Sequence, residues 1–151
     1  MIKNCYPISF QCFGDEKGKL TAIEENKNLP FDIKRIYYIT SVPRDVTRGF
    51  HSHRKLEQVL LCLNGSVKIR IKTPYEEEIV LLNSPSEGLY IGHMVWREMF
   101  EFSPRAVLLV LASEYYTEDD YIRDYDSYLE EASTYFKKKE TWENESAICN
   151  G

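Results

Sequence analysis

The segment from Arg48 to Gly65, RGFHSHRKLEQVLLCLNG, constrains the fold more than any other part of the chain. His51 and His53 are two positions apart, so on a β-strand both side chains point to the same face. They are followed by an apolar run that ends at an Asn-Gly dipeptide, which is typical of a tight hairpin turn leading into another strand. A polar strand, a buried strand and a turn in this order predict an all-β fold whose interior carries titratable groups.

The rest of the chain also reads as short strands, about nine in all, separated by turn signals. Outside the histidine segment, the predicted strands are residues 20–24, 33–40, 66–72, 78–82, 88–91 and 106–113. In the strand that contains them, Arg35 and Tyr37 share one face. Residues 1–13 contain Pro7 and predict an edge strand or an extended arm. Many short strands without intervening helices favour a sandwich or a small barrel.

A helix is predicted only near the C-terminus, over residues 117–139. Thr117 is followed by three acidic residues, which is typical of a helix N-terminus, and apolar residues then recur at helical spacing. We expect this apolar stripe to pack on the strands and not to form part of a site. Residues 140–151 predict a frayed tail. At 151 residues the whole chain, 1–151, is expected to be a single domain.

Composition argues against several classes of function. The net charge of −5 argues against a nucleic-acid-binding protein, since phosphate contacts need a basic patch. No apolar run approaches the ~20 residues of a membrane span, and the N-terminus lacks the apolar core of a signal peptide. The four cysteines are scattered without a CxxC pair, so neither a zinc site nor a disulfide framework is predicted. We therefore expect a cytoplasmic protein without nucleic-acid or membrane partners.

The histidine segment resembles a known metal-binding motif, but one ligand is replaced. Its glycine, histidines and glutamate are spaced as in the first motif of the cupin superfamily: Gly49, His51, His53 and Glu57. Aligning residues 88–97 with the second cupin motif places Arg97 where the last metal-binding histidine belongs. A guanidinium group is always charged and only donates hydrogen bonds, so it cannot bind a metal ion. His93 lies four residues too early to replace it, and the expectation is a site with no metal.

Without a metal, an interior that contains imidazole and guanidinium groups is suited to proton transfer. Histidine titrates near neutrality and is a natural general base for a proton next to a carbonyl group. A cationic group can stabilise the enolate that forms, and several cationic groups together suit a diphosphate. The basic residues that stand out in this acidic protein are Lys17, Arg35, Arg48 and Arg97.

Three blocks of sequence carry a more specific resemblance. RGFHSH with Gln58 and GSVKI, GLYI with VWREMFEFSP, and AVLLVLASEYY with DDYIRDY resemble the dTDP-sugar 3,4-ketoisomerases, which are WxcM-like cupins. The resemblance extends from about Gly14 to Tyr128, which is most of the chain. It implies a cupin jelly-roll β-barrel with a C-terminal α-helix. It also implies a homodimer in which N-terminal strands, here within residues 1–13, exchange between subunits.

The resemblance further implies an activity and roles for individual residues. Family members convert dTDP-4-keto-6-deoxy-D-glucose into a dTDP-3-keto-6-deoxyhexose without a metal or another cofactor, on the way to 3-amino-3,6-dideoxyhexoses of surface glycans such as the O-antigen of lipopolysaccharide. The implied catalytic residues are His51, which would abstract the C3 proton, and His53. His53 would be a second acid or base, or would orient its neighbour, and which of the two is the essential base stays open.

The expected substrate-binding residues combine the charge pattern with the resemblance. They are Lys17, Arg35, Tyr37, Arg48, Gln58 and Arg97. Arg97 is also similar to the residue of the subgroup that keeps the gluco configuration at C4, so a gluco product is favoured.

Two alternatives to a ketoisomerase follow from the same residues. Residues 48–51, Arg-Gly-x-His, also resemble the dTDP-sugar 3,5-epimerases, which share the base and the substrate. The turn at residues 14–18 is similar to theirs as well, with Lys17 in place of the usual arginine. The alternative from a different class is a non-catalytic cupin that binds a nucleotide sugar.

Overall fold

The computed structural model describes residues 1–150, which form twelve β-strands, one short 3₁₀ helix and one long α-helix. The strands are β1 (Cys5–Ser9), β2 (Cys12–Asp15), β3 (Gly18–Thr21), β4 (Arg35–Ile39), β5 (Arg48–His53), β6 (Gln58–Asn64), β7 (Val67–Lys72), β8 (Glu77–Leu82), β9 (Glu87–Ile91), β10 (Trp96–Phe100), β11 (Val107–Ala112) and β12 (Tyr121–Ile122). The 3₁₀ helix at Glu118–Asp120 precedes β12, and the helix α1 spans Tyr125–Cys149.

The strands form two five-stranded antiparallel sheets and one separate hairpin. The first sheet has the order β1-β9-β6-β11-β4, the second has the order β12-β5-β10-β7-β8, and β2 pairs with β3. The two large sheets face each other around one core, and within the described residues their hydrogen-bonded ladders do not join into a closed ring. The predicted all-β jelly-roll class with a C-terminal helix is confirmed, and β1 is an edge strand as its proline indicated.

Strand β6 explains how the sheets pack. Leu60 and Cys62 face the core between the two sheets, whereas Val59 and Leu61 face outward and are covered by the segment of residues 10–31. All four side chains are at most 2% exposed. A strand covered on both faces needs apolar side chains at every position, which is why this segment reads as a continuous apolar run. Each such burial contributes roughly 1.5–3 kcal/mol.

The Asn64-Gly65 turn does not form the predicted hairpin. Strand β6 pairs with β9 and β11, whereas β7 pairs with β8 and β10, so the turn carries the chain from one sheet to the other. Gly65 has the positive φ of +71° that such a turn requires, and the Asn64 side chain donates to the Arg105 carbonyl oxygen at 2.8 Å. The prediction was wrong because turn chemistry fixes the local chain reversal and not the partner of each strand.

The predicted helix at residues 117–139 is displaced. Residues 118–120 form a 3₁₀ turn and residues 121–122 pair with β5, because hydrogen bonds to that strand override the local helical pattern. The helix begins after Asp124, whose carboxylate accepts from the Ser127 backbone N–H at 2.9 Å. It continues to Cys149, so the tail predicted at 140–151 is wrong for residues 140–149. Residues 140–149 contain no glycine or proline that would end α1 earlier, and residue 151 lies outside the described residues.

The helix packs on the second sheet through few side chains. Tyr128, Ala132 and Phe136 are at most 1% exposed and contact Trp96 and its neighbours. Within the described residues, no helix is both long enough and apolar enough to span a membrane.

We expect Phe136→Ala to lower the free energy of unfolding by about 3–5 kcal/mol, because it removes a buried aromatic ring. Trp142→Ala is the matched control, since Trp142 is 72% exposed on the same helix, and it should change stability by less than about 0.5 kcal/mol. Urea unfolding followed by circular dichroism measures both. Equal effects would show that the outer half of the helix is packed.

Candidate active site

The candidate site lies between the two sheets, where strands β4, β5, β6 and β10 contribute polar side chains to the interior. Arg97 of β10 is directly opposite His51 of β5 in the antiparallel register. Beyond them, His53 pairs with Tyr121 of β12. The site is therefore assembled from both sheets and not from the histidine strand alone.

A β-bulge in β5 positions the two histidines. Arg97 opposes His51 while Glu98 opposes Gly49, so Phe50 is the extra residue. Gly49 and Phe50 both have positive φ, +96° and +54°. A Cβ atom on Gly49 would lie 2.8 Å from the Arg97 carbonyl oxygen, so only glycine fits this close approach.

The two histidines lie side by side on one face, as their spacing predicted. The centroids of the His51 and His53 rings are 4.9 Å apart, and the rings are nearly perpendicular, at 85°. His51 is half-buried, whereas His53 is completely buried. The exposed part of the pair therefore belongs to His51.

Arg97 is the centre of a hydrogen-bond chain across the interior. It is 1% exposed, and its Nη1 donates to Gln58 Oε1 at 2.6 Å while its Nη2 donates to the Val95 carbonyl oxygen at 2.9 Å. Gln58 in turn donates from Nε2 to the Tyr37 hydroxyl at 3.0 Å. Burial lowers the pKa of Arg97, yet a guanidinium remains charged at neutral pH. The chain brings three of the predicted substrate-binding residues together.

Arg35 extends this cluster on strand β4. Its guanidinium carbon lies 5.2 Å from the ring centroid of Tyr37 and 5.6 Å from that of Tyr116, which is cation–π distance. Its Nε and Nη2 are buried and have no hydrogen-bond partner. These unpaired donors are free to bind an anionic group.

Asp120 and Tyr121 belong to the site, and the sequence analysis missed both. Asp120 Oδ2 lies 3.1 Å from His53 Nδ1. The Tyr121 ring centroid is 4.3 Å from that of His53 and 5.0 Å from that of His51. Tyr121 falls within the helix predicted at residues 117–139, whose apolar stripe was expected only to pack on the strands, and this is wrong because Tyr121 lies in β12. No local signal distinguishes Asp120 from the two acidic residues before it.

Burial and a nearby cation keep both histidines neutral. Burial first, and then the charge of Arg97, lower the pKa of His51 from 6.5 to about 4. The same two causes lower the pKa of His53. At neutral pH each ring therefore keeps one lone pair, which a general base requires.

These pKa shifts predict how stability depends on pH. Between pH 4 and 6.5 the unfolded chain binds protons at both positions and the folded chain does not, so stability falls as the pH falls. From pH 7 to pH 5, each histidine should remove roughly 2 kcal/mol from the free energy of unfolding. Urea unfolding at both values tests this, and His51→Asn should halve the loss. A stability unchanged between pH 7 and pH 5 would contradict buried neutral histidines.

Three residues considered from the sequence lie away from this cluster. Lys17 is at the exposed turn of the β2–β3 hairpin, where its backbone N–H donates to Asp15 Oδ1 at 2.7 Å. Arg48 is exposed at the start of β5. Glu57 stands at the position of a metal ligand in the cupin motif, but here it accepts a hydrogen bond from the Tyr90 hydroxyl at 2.5 Å. Gln58, its neighbour on the opposite face of the strand, occupies the interior.

The residues present do not match a metal-binding set. Arg97 lies in the interior opposite His51. The Glu57 carboxylate is bonded to the Tyr90 hydroxyl and not grouped with the histidines. Within residues 1–150, no group of three histidine, cysteine or acidic side chains is arranged to hold a metal ion.

The fold and the site are those of a cupin whose interior holds two neutral histidines beside a buried arginine. Residues 3–133 match the family model described as FdtA: WxcM-like, C-terminal, and the chain belongs to this family. It is 52% identical over 121 residues to the TDP-4-oxo-6-deoxy-alpha-D-glucose-3,4-oxoisomerase of Aneurinibacillus thermoaerophilus, covering 80% of this chain and 87% of that relative.

Solved structures are similar over nearly the whole fold. One is the H51N mutant of the 3,4-ketoisomerase QdtA from Thermoanaerobacterium thermosaccharolyticum in complex with TDP-4-keto-6-deoxyglucose. It is 61% identical with a TM-score of 0.87, covering 89% of this chain and 97% of that one. The rmlC epimerase of Mycobacterium tuberculosis has a TM-score of 0.68 at 15% identity over 80% of this chain and 68% of its own, so it shares the fold alone.

Proposed function

We propose that this chain is a 3,4-ketoisomerase that converts dTDP-4-keto-6-deoxy-D-glucose into the 3-keto isomer. The observation that carries the proposal is the position of two residues in the interior. The neutral, half-buried His51 lies directly opposite the buried cation Arg97 on the neighbouring strand. A relative 61% identical to this chain was crystallised with TDP-4-keto-6-deoxyglucose. Identity at this level over nearly the full length supports the same substrate here.

The proposed reaction moves two protons and leaves the composition of the sugar unchanged. His51 removes the proton from C3, which the C4 ketone acidifies, and O4 gains a proton as the C3–C4 enediol forms. The C3 hydroxyl then loses its proton while C4 receives one, so the ketone ends at C3 and the hydroxyl at C4. Arg97 stabilises the negative charge that develops on oxygen during each transfer. No metal and no other cofactor takes part in this scheme.

The other site residues bind the substrate in this proposal. Gln58 and Tyr37 hydrogen-bond the sugar and are already ordered by Arg97. Arg35 binds the diphosphate through its unpaired Nε and Nη2. Lys17 and Arg48 are proposed to bind the diphosphate or the sugar. The half-buried position of His51 supports its assignment as the base, and complete burial of His53 supports a role behind it.

We also propose that the protein is a homodimer whose N-terminal β2–β3 hairpins pack on the partner. Strand β1 pairs with β9 of its own chain, so the exchange expected within residues 1–13 falls to the hairpin and not to β1. The β2–β3 hairpin exposes Phe13 and Leu20, which are 57% and 61% exposed. The edge strand β4 exposes Ile36 and Tyr38 on its outer face, at 58% and 69%. Apolar surface of this kind is typical of an interface, and burial of the hairpin there would carry Lys17 toward the partner's site. Sedimentation of the full chain tests the dimer, and a monomer at micromolar concentration would contradict it.

The test of the function is proton NMR of dTDP-4-keto-6-deoxyglucose incubated in D₂O with protein treated with a chelator. We expect a 3-keto product that carries deuterium at C4, with the gluco configuration there. Deuterium at C3 and C5 with the ketone still at C4 would instead indicate a 3,5-epimerase. Binding without any exchange would indicate a non-catalytic cupin, and activity restored only by added metal would contradict the metal-free scheme.

The cellular setting is part of the proposal. The four cysteines, all within the described residues, are free thiols, which fits a reducing compartment such as the cytoplasm. The 3-keto product suits an amination at C3 as the next step, which supports a place in the synthesis of 3-amino-3,6-dideoxyhexoses for surface glycans.

A further inference from the structure

Two buried ring nitrogens of the site have no hydrogen-bond partner. They are Nδ1 of His51 and Nε2 of His53, and they belong to rings whose centroids are 4.9 Å apart. The Gly49 backbone is near enough to the His51 ring to oppose the fall of its pKa, but it forms no hydrogen bond of normal geometry with Nδ1. A neutral imidazole has one N–H donor and one lone pair, so a ring that donates from one of these nitrogens is complementary to a ring that keeps its lone pair on the other. Buried polar atoms without a partner are rare enough to need this kind of explanation.

Asp120 determines which nitrogen of His53 carries the proton. Its Oδ1 accepts from the Lys55 backbone N–H at 2.8 Å, and its Oδ2 accepts from the Leu56 backbone N–H at 3.2 Å. Oδ2 also lies 3.1 Å from His53 Nδ1. A carboxylate with these partners only accepts hydrogen bonds, so His53 must donate from Nδ1 and keep its lone pair on Nε2.

We propose that Asp120 is a positioning residue that acts through His53 on His51. Asp120 holds the proton of His53 on Nδ1, His53 Nε2 accepts the Nδ1–H of His51, and His51 thereby keeps Nε2 unprotonated as the base. Because Nδ1 is the buried nitrogen of the half-buried His51, Nε2 is the nitrogen available to a substrate. The kinetic part of this inference rests on the proposed ketoisomerase function, whereas the tautomers do not.

The substitution Asp120→Asn reverses the hydrogen-bond order of the whole chain. An asparagine has one acceptor oxygen, and we expect it to keep the shorter backbone hydrogen bond, from Lys55 N–H at 2.8 Å and not from Leu56 N–H at 3.2 Å. The amide nitrogen then takes the place of Oδ2 and donates toward His53 Nδ1. His53 must then carry its proton on Nε2, which makes His51 Nδ1 an acceptor and puts the His51 proton on Nε2. The base is then blocked at the atom that should receive the C3 proton.

The experiment compares wild type, Asp120→Asn and Asp119→Asn. Asp119 is the adjacent acid, it is exposed, and its side chain makes no contact with the histidines, so it controls for the loss of one charge. We expect kcat for ketoisomerisation to fall by ~10²- to 10⁴-fold in Asp120→Asn with a change in KM of less than about threefold. Asp119→Asn should stay within about twofold of wild type.

The tautomers are read by ¹⁵N NMR of histidine-labelled protein without substrate. The chain has three histidines, and His93→Asn identifies the signal that belongs to neither site residue. We expect Nδ1–H tautomers for both His51 and His53 in wild type and Nε2–H tautomers for both in Asp120→Asn. The wild-type measurement alone decides the proposal if the variant does not fold.

An Nε2–H tautomer of His53 in wild type would overturn the proposal, as would an Asp120→Asn variant in which His53 has become the Nε2–H tautomer while kcat is unchanged. Wild type that binds the nucleotide sugar without turnover would overturn the proposed function instead. The predicted tautomers would still be tested in that case, so the two failures are distinguishable.

Discussion

His51→Asn should lower kcat for ketoisomerisation by ~10²- to 10⁴-fold while the nucleotide sugar still binds. Asparagine has nearly the shape of the imidazole but no basic nitrogen, and loss of a general base typically costs 10²- to 10⁴-fold. Binding should persist because the cationic and hydrogen-bonding groups at Arg97, Gln58 and Arg35 remain in place. Turnover is measured by NMR of the product and binding by calorimetry.

The matched control is His93→Asn, since His93 lies outside the cluster, beside a cavity of about 380 Å³ near the N-terminal strand. It should retain the activity of wild type. If His51→Asn retained more than about a tenth of the wild-type kcat, another residue would be the base, and the assignment of His51 would be wrong.

Arg97→Met should lower kcat by ~10²- to 10³-fold and also change the pH profile. The variant loses the cation that stabilises the developing oxyanion, an effect of the size seen when one such donor is removed. Arg97 is also a cause of the low pKa values of both histidines, second only to burial. Without it the pKa of His51 rises above its value of about 4. The acid limb of kcat/KM should therefore move to higher pH.

Stability provides the second measurement for this variant. A buried guanidinium has a large desolvation cost, so methionine of similar volume should leave the free energy of unfolding within about 1–2 kcal/mol of wild type. Arg44→Met, at an exposed arginine, is the control and should leave both kcat and the acid limb unchanged. An acid limb that does not move in Arg97→Met would show that Arg97 does not act on His51.

The parts of the fold predicted correctly are those in which one physical pattern dominates. The continuous apolar run of β6 follows from burial on both faces, and the shared face of His51 and His53 follows from strand periodicity. Strand β10, which has the sequence WREMF, was not predicted as a separate strand. Its Arg97 points inward and its Glu98 points outward, yet both are buried, so no alternation of polar and apolar residues marks it.

Long-range contacts decide what the sequence pattern could not. Glu98 is accommodated by donors from Trp96 Nε1 and Arg70 Nη1, each at 3.0 Å, and Arg70 lies on another strand. Asp120 reaches His53 across 67 positions of sequence. Such partners are fixed only once the strands are assembled, so the acidic run at 118–120 reads as a helix start when it is considered alone.

The crossing of the chain between sheets at Asn64-Gly65 has a consequence for folding kinetics. Strand β1 pairs with β9, and β4 pairs with β11, so neither edge of the first sheet has a partner close in sequence. Chains dominated by such non-local pairings pay loop-closure entropy before contacts form, and typically fold in milliseconds to seconds. On the ribosome, the first sheet must wait for residues 107–112, and until then the apolar strand β6 has an open edge. The nascent chain is then most exposed to aggregation.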